Sequence, residues 1–261
     1  MKWLVKSILR RAGYQLSPIT PLKSLSEQNP DITDREWHIY HAVQPFTMVS
    51  IERILANIRA VDYIVRNEIP GDFVECGVWR GGSAMAMALA LKGHAPRTLW
   101  MYDTYAGLTD ATSADVSHSG ADASAWMTAA KQLEAPERNR KLCLASLEDV
   151  RVNIGATGYP IDRIKFVKGP VEQTIPGDVP ERISLLRIDT DWYASTRHEL
   201  IHLYPLLSPG GILIIDDYGH WQGARKAVDE YFEDELPFLN RIDYTGRLLV
   251  KPQRRTLSSE E

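Results

Sequence analysis

From residue 71 onward the chain alternates short apolar runs with helical repeats, and that rhythm leaves few folds open. The apolar runs fall at residues 73–76, 99–102, 164–167, 183–188 and 212–215. Helical spacing fits between them at 83–91, 147–154 and 196–207, and again after the last run at 224–232. Near-continuous apolar strands alternating with helices predict a parallel sheet covered on both faces. Two last strands, 241–244 and 247–250, flank Thr245-Gly246, a hairpin signal. Upstream, Ser50 reads as the N-cap of a long helix through about Asn67. Ile51, Ile54, Leu55, Ile58, Val61 and Ile64 repeat there at helical spacing.

A parallel sheet that closes in an antiparallel hairpin points to the class I methyltransferase variant of the doubly wound α/β fold, here with a helical N-terminal extension. The expected layout is an arm over residues 1–47 and a domain over 48–252, followed by a flexible tail at 253–261. The arm carries Pro18, Pro21, Pro30 and Pro45 and one short helix around 33–41. Residues 104–140, rich in Ala, Ser, Asp and Gly, have no clear period and read as a mobile lid. The opening MKWLVKSILRR gathers Trp3, Leu4, Ile8 and Leu9 on one helical face beside Lys2, Lys6, Arg10 and Arg11. Lys6 and Arg10 break the run that a secretory signal needs. Peripheral contact with an anionic membrane and packing on this domain or another subunit both stay open, packing being preferred. A homo-oligomer built through the arm is therefore expected.

Composition narrows the partners. Thirty Lys+Arg stand against 34 Asp+Glu, a net charge of −4, which argues against a dedicated nucleic-acid binder. Cys76 and Cys143 are too few for a disulfide scaffold or a thiolate zinc site. No apolar run approaches the roughly 18 residues of a membrane span. A cytoplasmic location is expected.

Two constellations carry chemistry. Residues 73–83, FVECGVWRGGS, run from strand through a glycine turn into a helix. Glycines admit a ligand close to the backbone, and the helix start offers free N–H groups to an anion. Dinucleotide enzymes want G-x-G-x-x-G, but Trp79 stands where the middle glycine belongs, and no G-K-[ST] follows for a Walker loop. A smaller anion, such as the carboxylate of a methionine moiety, fits better. The same glycines could serve only to pack helix on strand. Asp103, closing the second strand, is placed to accept from a ribose diol or is an ordinary loop aspartate.

In the second constellation, Asp189 and Asp191 follow the fourth strand and Asp216 and Asp217 follow the fifth. Ligands bind at the carboxyl ends of strands in such sheets, so four carboxylates converge on one edge. A divalent cation relieves their repulsion, and all-oxygen ligation suits Mg²⁺, Mn²⁺ or Ca²⁺ rather than zinc. Helix capping, or pairing with Arg187, Arg197 or Arg225, is the alternative.

The stretches TMVS from Thr47, GDFVECGVWRGGSA, MYDTYAG, VKGPVEQTIP, RIDTDWYAST and IIDDYGHW resemble the macrocin, mycinamicin and noviose sugar O-methyltransferases. That resemblance implies S-adenosylmethionine and Mg²⁺ or Mn²⁺ as cofactors, with a glycosylated small molecule or glycan as acceptor. It implies Asp189, Asp216 and Asp217 as metal ligands and Asp191 as the base. It further implies Glu75, Gly77, Ser83 and Asp103 around S-adenosylmethionine, with Met48 near its methionine end and Gly169, Val171 and Glu172 near adenine. Catechol O-methyltransferases are similar in the glycine turn, in the spacing from Gly169 to Pro176 and in the metal carboxylates. They place a lysine three positions after the first metal aspartate, where this chain has Trp192, so Asp191 is favoured as the base. An aromatic ortho-diol acceptor, a nicotinamide dehydrogenase and an inactive scaffold are the competing readings.

Overall fold

The computed structural model describes residues 29–253. The expected basic N-terminal helix, most of the arm and nearly all of the tail lie outside them. Two compact units divide the chain, residues 1–37 and 38–261. Of the first, the described part is the turn at residues 29–33 and the start of helix α1 (Asp34–Val43), where Glu36 accepts from the Thr33 amide at 2.8 Å.

The second unit holds helix α2 (Ile51–Arg66), strand β1 (Asp72–Cys76), α3 (Gly82–Ala90) and β2 (Leu99–Asp103). Next come α4 (Ala123–Ala130), α5 (Ala135–Lys141), α6 (Leu147–Gly155), β3 (Ile164–Lys168) and the single turn α7 (Val171–Thr174). The chain continues through β4 (Ile183–Ile188), α8 (Tyr193–Leu203), β5 (Leu207–Ile215), α9 (Gln222–Tyr231), β6 (Asn240–Arg241) and β7 (Arg247–Val250). The seven strands form one sheet in the order β3-β2-β1-β4-β5-β7-β6. β1 to β5 are parallel and β7 is antiparallel to both of its neighbours. That is the expected doubly wound sheet with its closing hairpin.

Strand alternation builds two cores. Phe73, Leu185, Ile212 and Ile214 face one, shared with α2, α3 and α6. Val74, Cys76, Leu186, Ile188, Leu213 and Ile215 face the other, shared with α8 and α9. α2 contributes Ile54, Ile58, Val61 and Ile64, each fully buried, as the helical spacing predicts. Residues 104–140 are less bare than expected. α4 and the start of α5 fall within them, and Ala123, Met127 and Ala130 pack against Trp192 and Trp221. The apolar positions of α4 are mostly alanine, too small to give a legible stripe. No helix among the described residues is long and apolar enough to cross a membrane.

Ser50 caps α2 as expected, accepting from the Arg53 amide at 3.3 Å while donating to Asp243 at 2.8 Å. Its hydroxyl therefore ties the helix start to the hairpin turn. Ser50→Ala should cost about 1–2 kcal/mol, which in a domain of this size lowers Tm by roughly 2–8 °C. Thermal unfolding followed by circular dichroism checks this, and an unchanged Tm would mean that water replaces both bonds.

Candidate active site

The carboxyl ends of the five parallel strands are held level by the backbone. Gly77 N–H donates to Tyr102, Gly169 to Asp103, Asp189 to Cys76 and Asp216 to Ile188, each at 2.8–2.9 Å. The residue that follows each of β1, β3, β4 and β5 is thus bonded to a carbonyl at or next to the end of a neighbouring strand. Above this edge opens a cleft of about 230 Å³ that is partly open to solvent. It brings together every candidate residue: Met48, Glu75, Gly77, Ser83, Asp103, Gly169, Val171, Glu172, Asp189, Asp191, Asp216 and Asp217 all line it.

The glycine turn is shaped by close approach. At Gly77, φ is +80° and an added Cβ would sit 1.8 Å from the Asp189 carbonyl oxygen. A Cβ at Gly82 would lie 2.6 Å from the Thr47 side chain, so glycine there lets the segment around Thr47 cross the start of α3. Packing and ligand access are therefore both served by these residues. Asp103 is engaged in the same turn. One of its oxygens accepts from the Val78 and Trp79 amides at 2.6 and 3.0 Å, and the other accepts from Tyr105 at 2.7 Å. Burial nonetheless raises its carboxyl above the usual value. Whatever else it binds, Asp103 organises the backbone of the turn.

One oxygen from each of Asp189, Asp216 and Asp217 lies within 4.8 Å of the others. Arg187 underlies the group. Parallel pairing sets it directly beside Glu75, and it bonds Glu75 at 2.8 Å, Asp189 at 2.7 Å and Asp216. Burial alone would lower its pKa, but the surrounding carboxylates hold it above normal. Arg53 of α2 grips the other Asp216 oxygen and reaches Asp243 at 3.0 Å. Of the pairings weighed as an alternative to metal binding, Arg187 is realised for Asp189 and Asp216, whereas Arg225 pairs with Asp229 on the surface.

Negative charge still exceeds positive. Burial, then repulsion from Asp189, pushes Asp216 up to about 6 despite both arginines. Burial and Asp189 push Asp191 up to about 8, and Asp217 is driven well above the carboxylate range by burial and by Asp191. The second Glu75 oxygen is buried with no hydrogen-bond partner. Such a set favours an incoming cation.

Arg53 and Arg187 were not singled out as site residues from the sequence. Arg187 does carry a signal, a lone charge inside an otherwise uncharged, mostly apolar strand. Arg53 carries none, because its role depends on how α2 is rotated.

Residues 3–250 match the model of the macrocin O-methyltransferase (TylF) family. The chain belongs to that family. Among the relatives of this TylF-family chain, a Streptomyces olivaceus enzyme is 34% identical over 233 residues, covering 87% of this chain and 82% of the relative. Its name is 8-demethyl-8-(2,3-dimethoxy-alpha-L-rhamnosyl)-tetracenomycin-C 4'-O-methyltransferase. Demethyldecarbamoylnovobiocin O-methyltransferase of Streptomyces niveus is 35% identical over 203 residues, covering 75% of this chain and 72% of that one. The solved structure of the O-methyltransferase NovP superposes with a TM-score of 0.67 at 32% identity, covering 80% of this chain and 83% of that one. The TylF-family chain is thus an O-methyltransferase of the class I fold, and the dehydrogenase reading is set aside.

Behind the edge, Glu199 of α8 is fully buried and accepts from the Thr190 hydroxyl at 3.1 Å. Burial lifts its carboxyl well above the usual value. The folded state then keeps a proton that the unfolded chain has released, so stability falls as pH rises from the unfolded carboxylate range towards the folded pKa. Glu199→Gln removes that slope. Its Tm relative to the parent should climb as pH rises above the ordinary carboxylate range, and a pH-independent difference would place an ordinary carboxylate there.

Proposed function

We propose that the chain is an S-adenosylmethionine-dependent, divalent-metal-dependent O-methyltransferase of a sugar hydroxyl on a glycoside. The observation that carries this reading is the convergence of the Asp189–Asp216–Asp217 oxygens and Asp191 in the cleft that the glycine turn lines. The relatives' names suggest the acceptor class, since one is a 4'-O-methyltransferase of a rhamnosyl-tetracenomycin.

The residues present fit both cofactors. The unpartnered buried oxygen of Glu75 suits the ammonium of a methionine moiety, and Ser83 and the turn amides suit its carboxylate. Asp103 is available to the ribose diol. Three carboxylate oxygens and no nitrogen or sulfur suit a hard cation such as Mg²⁺ or Mn²⁺. When bound, such an ion lowers the pKa of the acceptor hydroxyl and orients it.

That contribution is needed. An alcohol holds its proton about as tightly as water does, far more tightly than any carboxylate. Even with burial lifting Asp191 to about 8, it stays a far weaker base than the alkoxide it would have to form. Asp191 therefore takes the proton only as the methyl group is transferred, general-base assistance worth roughly 10²–10⁴ in rate. The excursion 104–140 walls the cleft through Gly107, Leu108 and Thr109 and would exclude water over the acceptor. Equal hydrogen exchange there with and without ligands would argue against closure.

The deciding experiment combines binding and turnover. S-adenosylhomocysteine and Mn²⁺ affinities are measured by calorimetry, with turnover followed on demethyldecarbamoylnovobiocin and on rhamnosyl-tetracenomycin. Asp189→Ala should lose Mn²⁺ binding and turnover yet keep S-adenosylhomocysteine. Asp103→Ala should weaken S-adenosylhomocysteine by about tenfold or more, as expected for a lost bond to a charged group. Asp191→Asn should keep both ligands and lose most of kcat. Undiminished turnover in excess EDTA would sink the metal-dependent reading.

A further inference from the structure

We propose that Trp221 is the positioning residue of Asp191, holding its carboxylate aimed into the cleft and tying that aim to the packing of residues 109–127. The inference rests on the reading of Asp191 as the base.

Asp191 sits at φ +66°, a left-handed conformation that a residue with a side chain seldom adopts. Such strain persists only where surrounding contacts impose it. The chief side-chain contact is Trp221, whose indole N–H donates to Asp191 Oδ1 at 2.8 Å. The indole is 6% exposed and cannot swing. Its ring meets Trp192 at 5.0 Å, Trp126 at 5.9 Å and His220 at 4.8 Å between centroids, all edge-to-face. Its backbone N–H donates to the Asp217 carbonyl, and Trp221 forms an antiparallel bridge with Ser117. The direction of the donor is thus set by three separate segments.

The choice of side chain has a chemical sense. Indole donates and cannot accept, so it steadies the carboxylate without competing for the proton that Asp191 must take. Among the described residues no hydrogen bond is made to Asp191 Oδ2, which leaves that oxygen to the acceptor. A histidine or tyrosine in the same place would itself exchange protons. The outward link is equally specific. Trp126 belongs to α4, Ser117 to the strand-like stretch before it, and the Trp192 indole donates to the Thr109 carbonyl at 2.9 Å. Loosening residues 109–127 would therefore free the indole and, through it, the base.

Two measurements on the full chain test this. In ¹⁵N-correlated spectra, one of the seven tryptophan indole N–H signals should vanish in Trp221→Phe. The same signal should move upfield in Asp191→Ala, with amide-type exchange accelerated at least about tenfold. An unmoved signal overturns the proposal, whether or not any acceptor is found. With S-adenosylmethionine, Mg²⁺ and the acceptors named above, Trp221→Phe should lower kcat about tenfold and leave KM and S-adenosylhomocysteine affinity unchanged. That loss should disappear when the substitution is made in Asp191→Asn. The same loss in both backgrounds would mean that Trp221 only packs, which overturns the proposal. A fully active Trp221→Phe beside an impaired Asp191→Asn overturns it and leaves the base standing. A fully active Asp191→Asn removes the base and this proposal together.

Discussion

A single buried guanidinium holds the reactive edge together. Arg187 lies one residue before the end of β4, 1% exposed, and its fork reaches carboxylates that belong to three different strand ends: Glu75, Asp189 and Asp216. A charge so placed is tolerable only because it is paired on several sides. Removing one partner of such a set costs about 3–5 kcal/mol, since it strands the others without water. The planar, multiply donating group is what makes this reach possible, and a lysine could not match it. Arg53 extends the same logic outward. By holding both Asp216 and Asp243, it attaches α2, which precedes the sheet, and the hairpin turn, which follows it, to one carboxylate. Two cations nevertheless face six carboxylates, counting Glu75, Asp189, Asp191, Asp216, Asp217 and Asp243. Burial first, and then this uncompensated remainder, pushes Asp191 and Asp217 upward.

What could be read in advance followed from local causes. The inner parallel strands announced themselves because burial on both faces demands apolar residues at nearly every position, as along Ile183–Ile188. The candidate residues came together because each follows directly on a strand end, where topology alone decides its neighbourhood. Features with distant causes were harder to read. α8 begins at Tyr193 rather than near residue 196, because Asp115 accepts the Tyr193 amide from far along the chain at 2.8 Å. β5 begins at Leu207 and runs through Pro209-Gly210, which by local rules reads as a turn. β6 is only Asn240–Arg241, because Asp243 folds back to accept from the Thr245 and Gly246 amides and draws the turn out of the ladder. The excursion 104–140 hid its helices for a similar reason. Its few large side chains matter through rings elsewhere, and no local period reports them.

These two kinds of residue divide the work of the site. The groups suited to the chemistry stand within a residue or two of a strand end, levelled by backbone bonds that tolerate little change. The wall over the cleft is built differently, from a small-residue segment fastened at a few points. Asp115 is the chief fastener: it is fully buried, accepts from Thr112 and Tyr193, and sits where a Cβ on Gly223 would come within 2.3 Å of its oxygen. Between such fasteners the wall can change its side chains without disturbing the edge. Such a separation would let relatives that share about a third of their residues with this chain carry different acceptor names. On the function proposed above the two parts cannot be wholly independent, because an acceptor under the wall would have to meet Asp191 at the edge. Trp221 stands at that junction, with its backbone bridged to the wall and its indole bonded to the edge.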